Sequence, residues 1–198
     1  MKYKLTFFFL LLAILIAGVW SSYQIYSSDS PETSQVKAQF IKGGDFTLSM
    51  GDENFDLVSL RGDVVVLYFG YTFCPDVCPT GLAVLRGALS MLDDDLKDTQ
   101  GIFITLDPER DTPKQVKDYA SFFHKKILGV TGTLPEIDAV AQKYAVYYKK
   151  VEVQDSALGY SLDHSANFFI IDKDGRLAYV LDHSVDSNVL ANTIKKLH

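Results

Sequence analysis

Two cysteines, Cys74 and Cys78, are the side chains in this sequence best suited to redox chemistry or metal binding, and they are its only cysteines. A disulfide between them would close a loop of five residues, which is too short to stabilise a fold appreciably through chain entropy. The thiolate is the reactive form both for attack on a disulfide and for metal coordination. The pair is therefore predicted to be functional, and its chemistry alone leaves both roles open.

The spacing of the two cysteines favours a metal. Residues four apart on a helix have Cβ atoms about 5–6 Å apart, whereas a relaxed disulfide needs about 3.5–4.5 Å. Three intervening residues therefore suit two sulfurs on one ion better than the two-residue spacing of redox motifs does. Pro75 could distort the first turn, so a disulfide stays open.

The best candidate for a third ligand is His164, which follows Asp163 and directly precedes a predicted strand. Asp163 could hold the imidazole by a hydrogen bond. The other three histidines are predicted to be structural or solvated: His124, His183 and His198. Two thiolates and one imidazole favour one copper(I) ion, which accepts soft ligands in low number. Structural zinc normally takes four ligands.

The elements around the cysteines predict an α/β fold. A continuous apolar run at 64–69 is typical of a strand buried on both faces, and leucines at helical spacing follow the cysteines. Further predicted elements are a strand at 102–106, helices opened by Thr112-Pro113 and by the capping box at 133–136, and a strand at 146–151. A polar loop to His164, a hairpin around 172–175 and a helix from Ser187 complete the chain.

This order predicts a thioredoxin-like three-layer α/β fold. In such a fold the cysteines leave the C-terminal end of a buried strand and enter a helix, and that crevice is where open α/β sheets bind ligands. The loop that carries His164 is expected to reach the same crevice.

The N-terminal segment predicts export. Lys2 and Lys4 precede an apolar run at 5–20, and positive charge on the short side places the remainder of the chain outside the cytoplasm. Residues 1–25 are predicted to be a signal anchor, with a removed signal peptide as the alternative, 26–35 a flexible linker and 36–198 the globular domain. The formal charge of −6 and the pI near 5.1 argue against binding to nucleic acid.

Several segments, in this order, resemble the SCO/SenC family of copper proteins. The matching segments are Gly43–Leu48, Tyr68–Thr80, Ile104–Thr112, Leu128–Thr133, Asp163–Ser165 and Asp172–Gly175. The resemblance implies copper ligands at Cys74, Cys78 and His164, an N-terminal membrane anchor and a role in assembling the dicopper centre of cytochrome c oxidase. It also implies that the copper-bearing oxidase subunit, and other copper chaperones, are partners. Phe73 stands where many relatives carry histidine, and the short anchor indicates a bacterial inner-membrane protein.

Two rival functions stay open. A thiol–disulfide reductase could use Cys74 for attack and Cys78 for resolution, although the wider spacing and the lack of any proline after Pro135 count against a general reductase. A copper or redox sensor is the other. The charged segment Asp107–Thr112 is predicted to be a salt-bridged loop, with a docking surface as the alternative.

Overall fold

The computed structural model describes residues 15–18, 20–21, 41–92, 97–153 and 159–198. Contacts divide the chain into two units, residues 1–33 and 34–198. In the first unit the described residues are helical and exposed. Most of the predicted anchor and all of the predicted linker lie outside the described residues. Within the described part of the chain, no helix has both the length and the apolar character of a membrane span.

The second unit contains nine described strands and four α-helices. In chain order they are β1 (Thr47–Met50), β2 (Glu53–Asp56), β3 (Val64–Gly70), α1 (Val77–Leu92), β4 (Thr99–Thr105), α2 (Pro113–Phe123), β5 (Ile127–Val130), α3 (Leu134–Lys143), β6 (Tyr148–Glu152), β7 (Tyr160–His164), β8 (Phe168–Ile171), β9 (Leu177–Leu181) and α4 (Ser187–Lys195). A 3₁₀ turn, Leu57–Leu60, follows β2.

The central sheet has five strands in the order β5-β4-β3-β8-β9. Strands β3, β4 and β5 are parallel, whereas β8 is antiparallel to both of its neighbours, β3 and β9. All seven residues of β3 are buried, because this strand has a neighbour on each side and cover on each face. The buried strand predicted from the apolar run is thus the middle of the sheet.

Neighbouring side chains of β3 show that the sheet is covered on both faces. A Cβ added at Gly81 of α1 would lie 2.3 Å from the Tyr68 hydroxyl, so α1 packs on the Tyr68 face. Phe69 instead packs against Tyr144, directly after α3, with ring centroids 5.9 Å apart. Successive residues of a strand point to opposite faces, so α1 and the end of α3 lie on opposite sides of the sheet.

The predicted starts of α2 and α3 are confirmed. The side chain of Thr112 accepts a hydrogen bond from the backbone N–H of Gln115 in a capping box, and Pro113 occupies the first turn. Thr133 and Glu136 form the equivalent capping box on α3. These local signals work because they satisfy N–H groups that a helix start leaves without partners.

The predicted polar loop before His164 was wrong at its end, because residues 160–164 form strand β7. This strand pairs antiparallel with β6, from Tyr148 opposite His164 to Glu152 opposite Tyr160. The pairing gives partners to backbone N–H and C=O groups of residues 160–164 that would bond to water in a loop. His164 is therefore the last residue of a strand.

Candidate metal centre

The two cysteines lie where the central strand gives way to a helix. Strand β3 ends at Gly70 and α1 begins at Val77, so Cys78 is in the first turn of α1 and Cys74 precedes the helix. The prediction that the pair leaves a buried strand and enters a helix is confirmed. The helical-spacing argument does not apply, because Cys74 is outside the helix.

Close contacts around this segment fix the position of Cys78. The Tyr68 hydroxyl donates to the Val77 carbonyl at 3.1 Å, which holds the first turn of α1 against the sheet. The Cys74 N–H donates to the Tyr71 carbonyl at 3.3 Å. A Cβ at Gly70 would stand only 2.7 Å from the Cys78 sulfur. Only glycine at this position leaves room for that thiol.

His164 reaches the cysteine pair from the far side of the cleft. Its Nε2 lies 3.4 Å from the Sγ of Cys78, and one donor atom from each of Cys74, Cys78 and His164 lies within 4.8 Å of the other two. Cys74 and His164 line a cleft of about 280 Å³. Cys78 is buried, whereas Cys74 and His164 are partly accessible. The three donor atoms are close enough together for one ion to contact all of them.

The backbone of β7 determines which imidazole nitrogen faces the cysteines. The Nδ1 of His164 lies 3.1 Å from the Ser165 carbonyl, and a carbonyl only accepts. In this contact Nδ1 therefore carries a proton, and Nε2 is the nitrogen that faces the cysteines. The contact predicted for Asp163 is thus made by a carbonyl. Asp163 is exposed, because neighbours in a strand point to opposite faces.

The two thiols differ strongly in acidity. A hydrogen bond from the Cys78 thiol lowers the pKa of Cys74 to about 3, with further help from His164 and from the backbone N–H groups of Asp76 and Cys78. The pKa of Cys78 is raised, because its thiol donates to Cys74 and because it is buried. Cys74 is therefore the first of the two to ionise.

We expect Cys74 to be alkylated at least about tenfold faster than Cys78 in the reduced, metal-free protein, since it is the more accessible thiol and the first thiolate. A short pulse of iodoacetamide, followed by digestion and tandem mass spectrometry, would locate the label. Full denaturation before the pulse is the control and should equalise the two rates. Equal labelling in the native protein would contradict the assignment.

The other histidines lie away from this cluster. His124 follows the last residue of α2 as its C-cap, and His183 lies 3.3 Å from Asp182 at the protein surface. The Nε2 of His198 is 3.1 Å from the Thr99 hydroxyl. Among the described residues, the cluster thus contains His164 as its histidine, as predicted from the sequence.

The loop between β4 and α2 was predicted to contain an internal salt bridge. It contains one, and it also bonds to the segment that carries the cysteines. Arg110 donates to Asp107 at 2.5 Å, as expected. Asp111, however, is 1% exposed and accepts from both the N–H and the hydroxyl of Thr72, at 2.9 and 2.5 Å. The loop therefore holds the segment that leads to Cys74 through Thr72, a residue whose role has no signal in the local sequence.

Fold and site together define a class. The domain has a thioredoxin-like sheet, and a two-thiol, one-imidazole cluster lies where its central strand leads into a helix. That class contains metal-binding and redox-active proteins, in keeping with the soft donors of the cluster.

The sequence of this chain matches the model of a known protein family. Residues 34–198 match the SCO1/SenC family. The chain therefore belongs to this family, as the sequence motifs indicated.

Similar proteins cover most of the chain. The SCO2-like protein of Rickettsia felis is 36% identical over 181 residues, which span 88% of this chain and 87% of that protein. The structure of Arabidopsis thaliana ScoI with copper bound has a TM-score of 0.72 at 36% identity, covering 78% of this chain and 96% of that one. Bradyrhizobium japonicum ScoI with copper bound has a TM-score of 0.71 at 36% identity, covering 79% and 99%. The thioredoxin-like α/β fold is confirmed.

Proposed function

We propose that this chain is a copper metallochaperone that binds one copper ion on Cys74, Cys78 and His164 and acts in the assembly of cytochrome c oxidase. The observation that carries the proposal is the convergence of these three donors within 4.8 Å. Cys74 comes from the segment before α1, Cys78 from the first turn of α1 and His164 from the end of a separate hairpin. Two similar chains, from Arabidopsis thaliana and Bradyrhizobium japonicum, have structures with copper bound.

The donor set favours copper over other ions. Thiolates and imidazole suit copper(I), which accepts low coordination numbers, whereas calcium and magnesium prefer oxygen ligands. Structural zinc is normally held by four protein ligands, and among the described His, Cys, Asp and Glu side chains this cluster has three. Cys74 and His164 are partly accessible, so an acceptor ligand can approach the bound ion.

Delivery then follows by exchange of ligands. A thiolate of the acceptor would bind the ion as one donor of this chain leaves, and no electron is transferred in that step. Cys74 and His164 are the donors expected to exchange first, because Cys78 is buried. The acceptor we propose is the copper-bearing subunit of cytochrome c oxidase, with other copper chaperones as sources of the ion.

The proposed location is the bacterial inner membrane, with the globular domain outside the cytoplasm. Residues 1–25 would be the anchor, 26–35 the linker and 36–198 the copper-binding domain. Support comes from the two lysines before the apolar run. The net charge of −6 supports protein partners over nucleic acid.

A thiol–disulfide reductase is the second candidate, because the pKa of Cys74 is lowered to about 3 by the Cys78 thiol. An accessible thiolate beside a second thiol can attack a disulfide and then be released by the second thiol. In that role the chain would keep the cysteines of the oxidase subunit reduced. His164 contributes no sulfur to this exchange and supports it only by helping to lower the pKa of Cys74.

Oxidase activity, measured in a strain that lacks this chain, would distinguish copper delivery from disulfide reduction. If delivery dominates, added copper should restore oxidase activity and a small thiol reductant should not. A gene encoding His164→Ala should fail to complement, as should Cys74→Ser. Rescue by the reductant, together with full complementation by His164→Ala, would replace delivery with disulfide reduction.

A further inference from the structure

The hairpin that carries His164 is not part of the central sheet. Among the described strands, β6 and β7 pair with each other, whereas β3 and α1, which flank the cysteines, belong to the five-stranded sheet and its cover. Backbone hydrogen bonds of the central sheet therefore do not fix the distance between His164 and the cysteine pair. The three residues between β7 and β8 limit how far the hairpin can move, and side-chain contacts hold it against the rest of the domain.

Several such contacts converge at the opposite end of β7, on its first residue, Tyr160. The Tyr160 hydroxyl donates to one carboxylate oxygen of Asp107 at 2.7 Å, and the Nε of Arg110 donates to the other oxygen at 2.5 Å. Arg110 also donates through Nη1 to the Tyr160 carbonyl at 2.9 Å. Its guanidinium carbon lies 3.6 Å from the centroid of the Tyr160 ring. Tyr160 is thus held through its ring, its hydroxyl and its backbone.

The same guanidinium contacts the segment that carries the cysteines. Its central carbon is 5.3 Å from the Phe73 ring centroid and 5.9 Å from the Tyr71 ring centroid, and Phe73 directly precedes Cys74. The Tyr71 ring in turn packs edge-on against the imidazole of His164, with centroids 5.9 Å apart. Arg110 therefore contacts both the hairpin that carries His164 and the segment that carries the cysteines.

Asp107 and Arg110, which bridge the hairpin and the cysteine segment, are largely shielded from water. Asp107 is 1% exposed and the Arg110 side chain 18%. Hydrogen bonds between charged groups are the strong ones, and they gain strength where water is excluded. An arginine can donate hydrogen bonds to two partners while its guanidinium stacks on an aromatic ring, and a lysine cannot do both. A bridge of this kind can define one position for the hairpin.

We infer that Arg110 and Tyr160 form a clasp that positions the His164 hairpin over the cysteine pair and thereby sets the copper affinity of the site. The inference rests on the proposed function. Both are positioning residues, because neither contributes a donor atom to the cluster. With the clasp released, the hairpin samples positions in which His164 is away from the cysteines. The measured affinity then falls in proportion to the fraction of chains in the binding-competent arrangement.

The test removes one hydroxyl. Tyr160→Phe keeps the ring under Arg110 but loses the bond to Asp107, and we expect copper(I) affinity to fall about tenfold. Arg110→Lys, which keeps the charge but loses the forked geometry, should cause a loss at least as large and serves if Tyr160→Phe does not fold. Affinity is measured in the reduced protein by competition with a chromophoric copper(I) chelator. Tyr144→Phe is the matched control, since it removes a hydroxyl bonded to the Gly44 carbonyl at 2.9 Å and should leave affinity unchanged.

A double-mutant cycle separates positioning from general destabilisation. In the His164→Ala background, adding Tyr160→Phe should lower copper(I) affinity no further, because the clasp acts through the imidazole. An equal loss in both backgrounds would overturn the clasp, and so would an unchanged affinity when His164 is present. These results are distinct from a failure of the proposed function, in which His164→Ala alone would leave copper affinity unchanged.

Discussion

Replacing His164 with alanine should lower the copper(I) affinity of the reduced protein by at least about a hundredfold. Loss of a group that merely supports a ligand typically costs ten- to a hundredfold in metal affinity, so loss of a ligand should cost at least as much. Nε2 lies 3.4 Å from the Cys78 sulfur, and its removal leaves two thiols. Two-thiol coordination still suits copper(I), so residual binding is expected.

The cysteine variants should be more severe. Cys74→Ser and Cys78→Ser each leave one thiol and one imidazole, and neither should retain copper through gel filtration against a competing chelator. The wild type should retain close to one ion per chain. Since serine is nearly isosteric with cysteine, a loss of copper would report the donor atom.

Controls on the same chain make this result decisive. His183→Ala removes a surface histidine beside Asp182, outside the cluster, and should not change affinity. Circular dichroism of each metal-free variant should match that of the wild type. Unchanged copper affinity in His164→Ala, combined with rapid reduction of model disulfides by the wild type, would end the case for delivery.

The sequence predicts those parts of the molecule that depend on neighbouring residues. An unbroken apolar run suffices to identify β3, because any strand in the middle of a covered sheet must be apolar on both faces. Capping boxes identify the starts of α2 and α3 for the same local reason. The three cluster residues were found because a chain with two cysteines and four histidines offers few alternatives.

The pairing of β7 with β6 could not be predicted from the sequence. Strand β7 has five residues, and its existence depends on β6, from which it is separated along the chain. Once β7 is a strand, alternation turns Asp163 away from His164 and gives the imidazole a backbone partner instead. A prediction that treats 160–164 as a loop cannot obtain that alternation.

The clasp of Arg110 and Tyr160 could not be predicted from the sequence either. A segment with three carboxylates and one arginine is expected to form an internal ion pair, and Arg110 and Asp107 do form one. Other bonds join Arg110 to a residue 50 positions away, Tyr160, and Asp111 to one 39 positions away, Thr72. Contacts at such separations depend on the completed fold.

Replacing Asp111 with alanine should lower the free energy of unfolding by about 3–4 kcal/mol, because hydrogen bonds to a buried charged group contribute about 1.5–3 kcal/mol each and are not fully additive. The carboxylate is 1% exposed. It accepts from the Thr72 N–H, the Thr72 hydroxyl and, at 2.6 Å, the Thr105 hydroxyl. Alanine leaves all three donors in a site that water reaches poorly. Urea unfolding of the reduced, metal-free protein measures the change.

Asparagine at the same position should cost less, about 1–2 kcal/mol. Its amide oxygen can accept from the Thr72 N–H and the Thr105 hydroxyl, while its NH₂ group donates to the Thr72 oxygen. That arrangement keeps the shape and the number of hydrogen bonds and loses only the charge. Asp118→Ala is the matched control, since Asp118 is exposed and pairs with Lys114 on the surface of α2, and its loss should cost about 0.5 kcal/mol or less.

A thermodynamic cycle with Thr72→Val determines whether Asp111 acts on the cysteine segment. Valine removes the Thr72 hydroxyl and keeps its N–H, so the two substitutions should be less than additive by about 1 kcal/mol if the bond between them is the one lost. Strict additivity would place the effect of Asp111 elsewhere in the β4–α2 loop. Because Thr72 lies two residues before Cys74, coupling between Asp111 and Thr72 would mean that the fold and the copper-binding segment are stabilised by the same carboxylate.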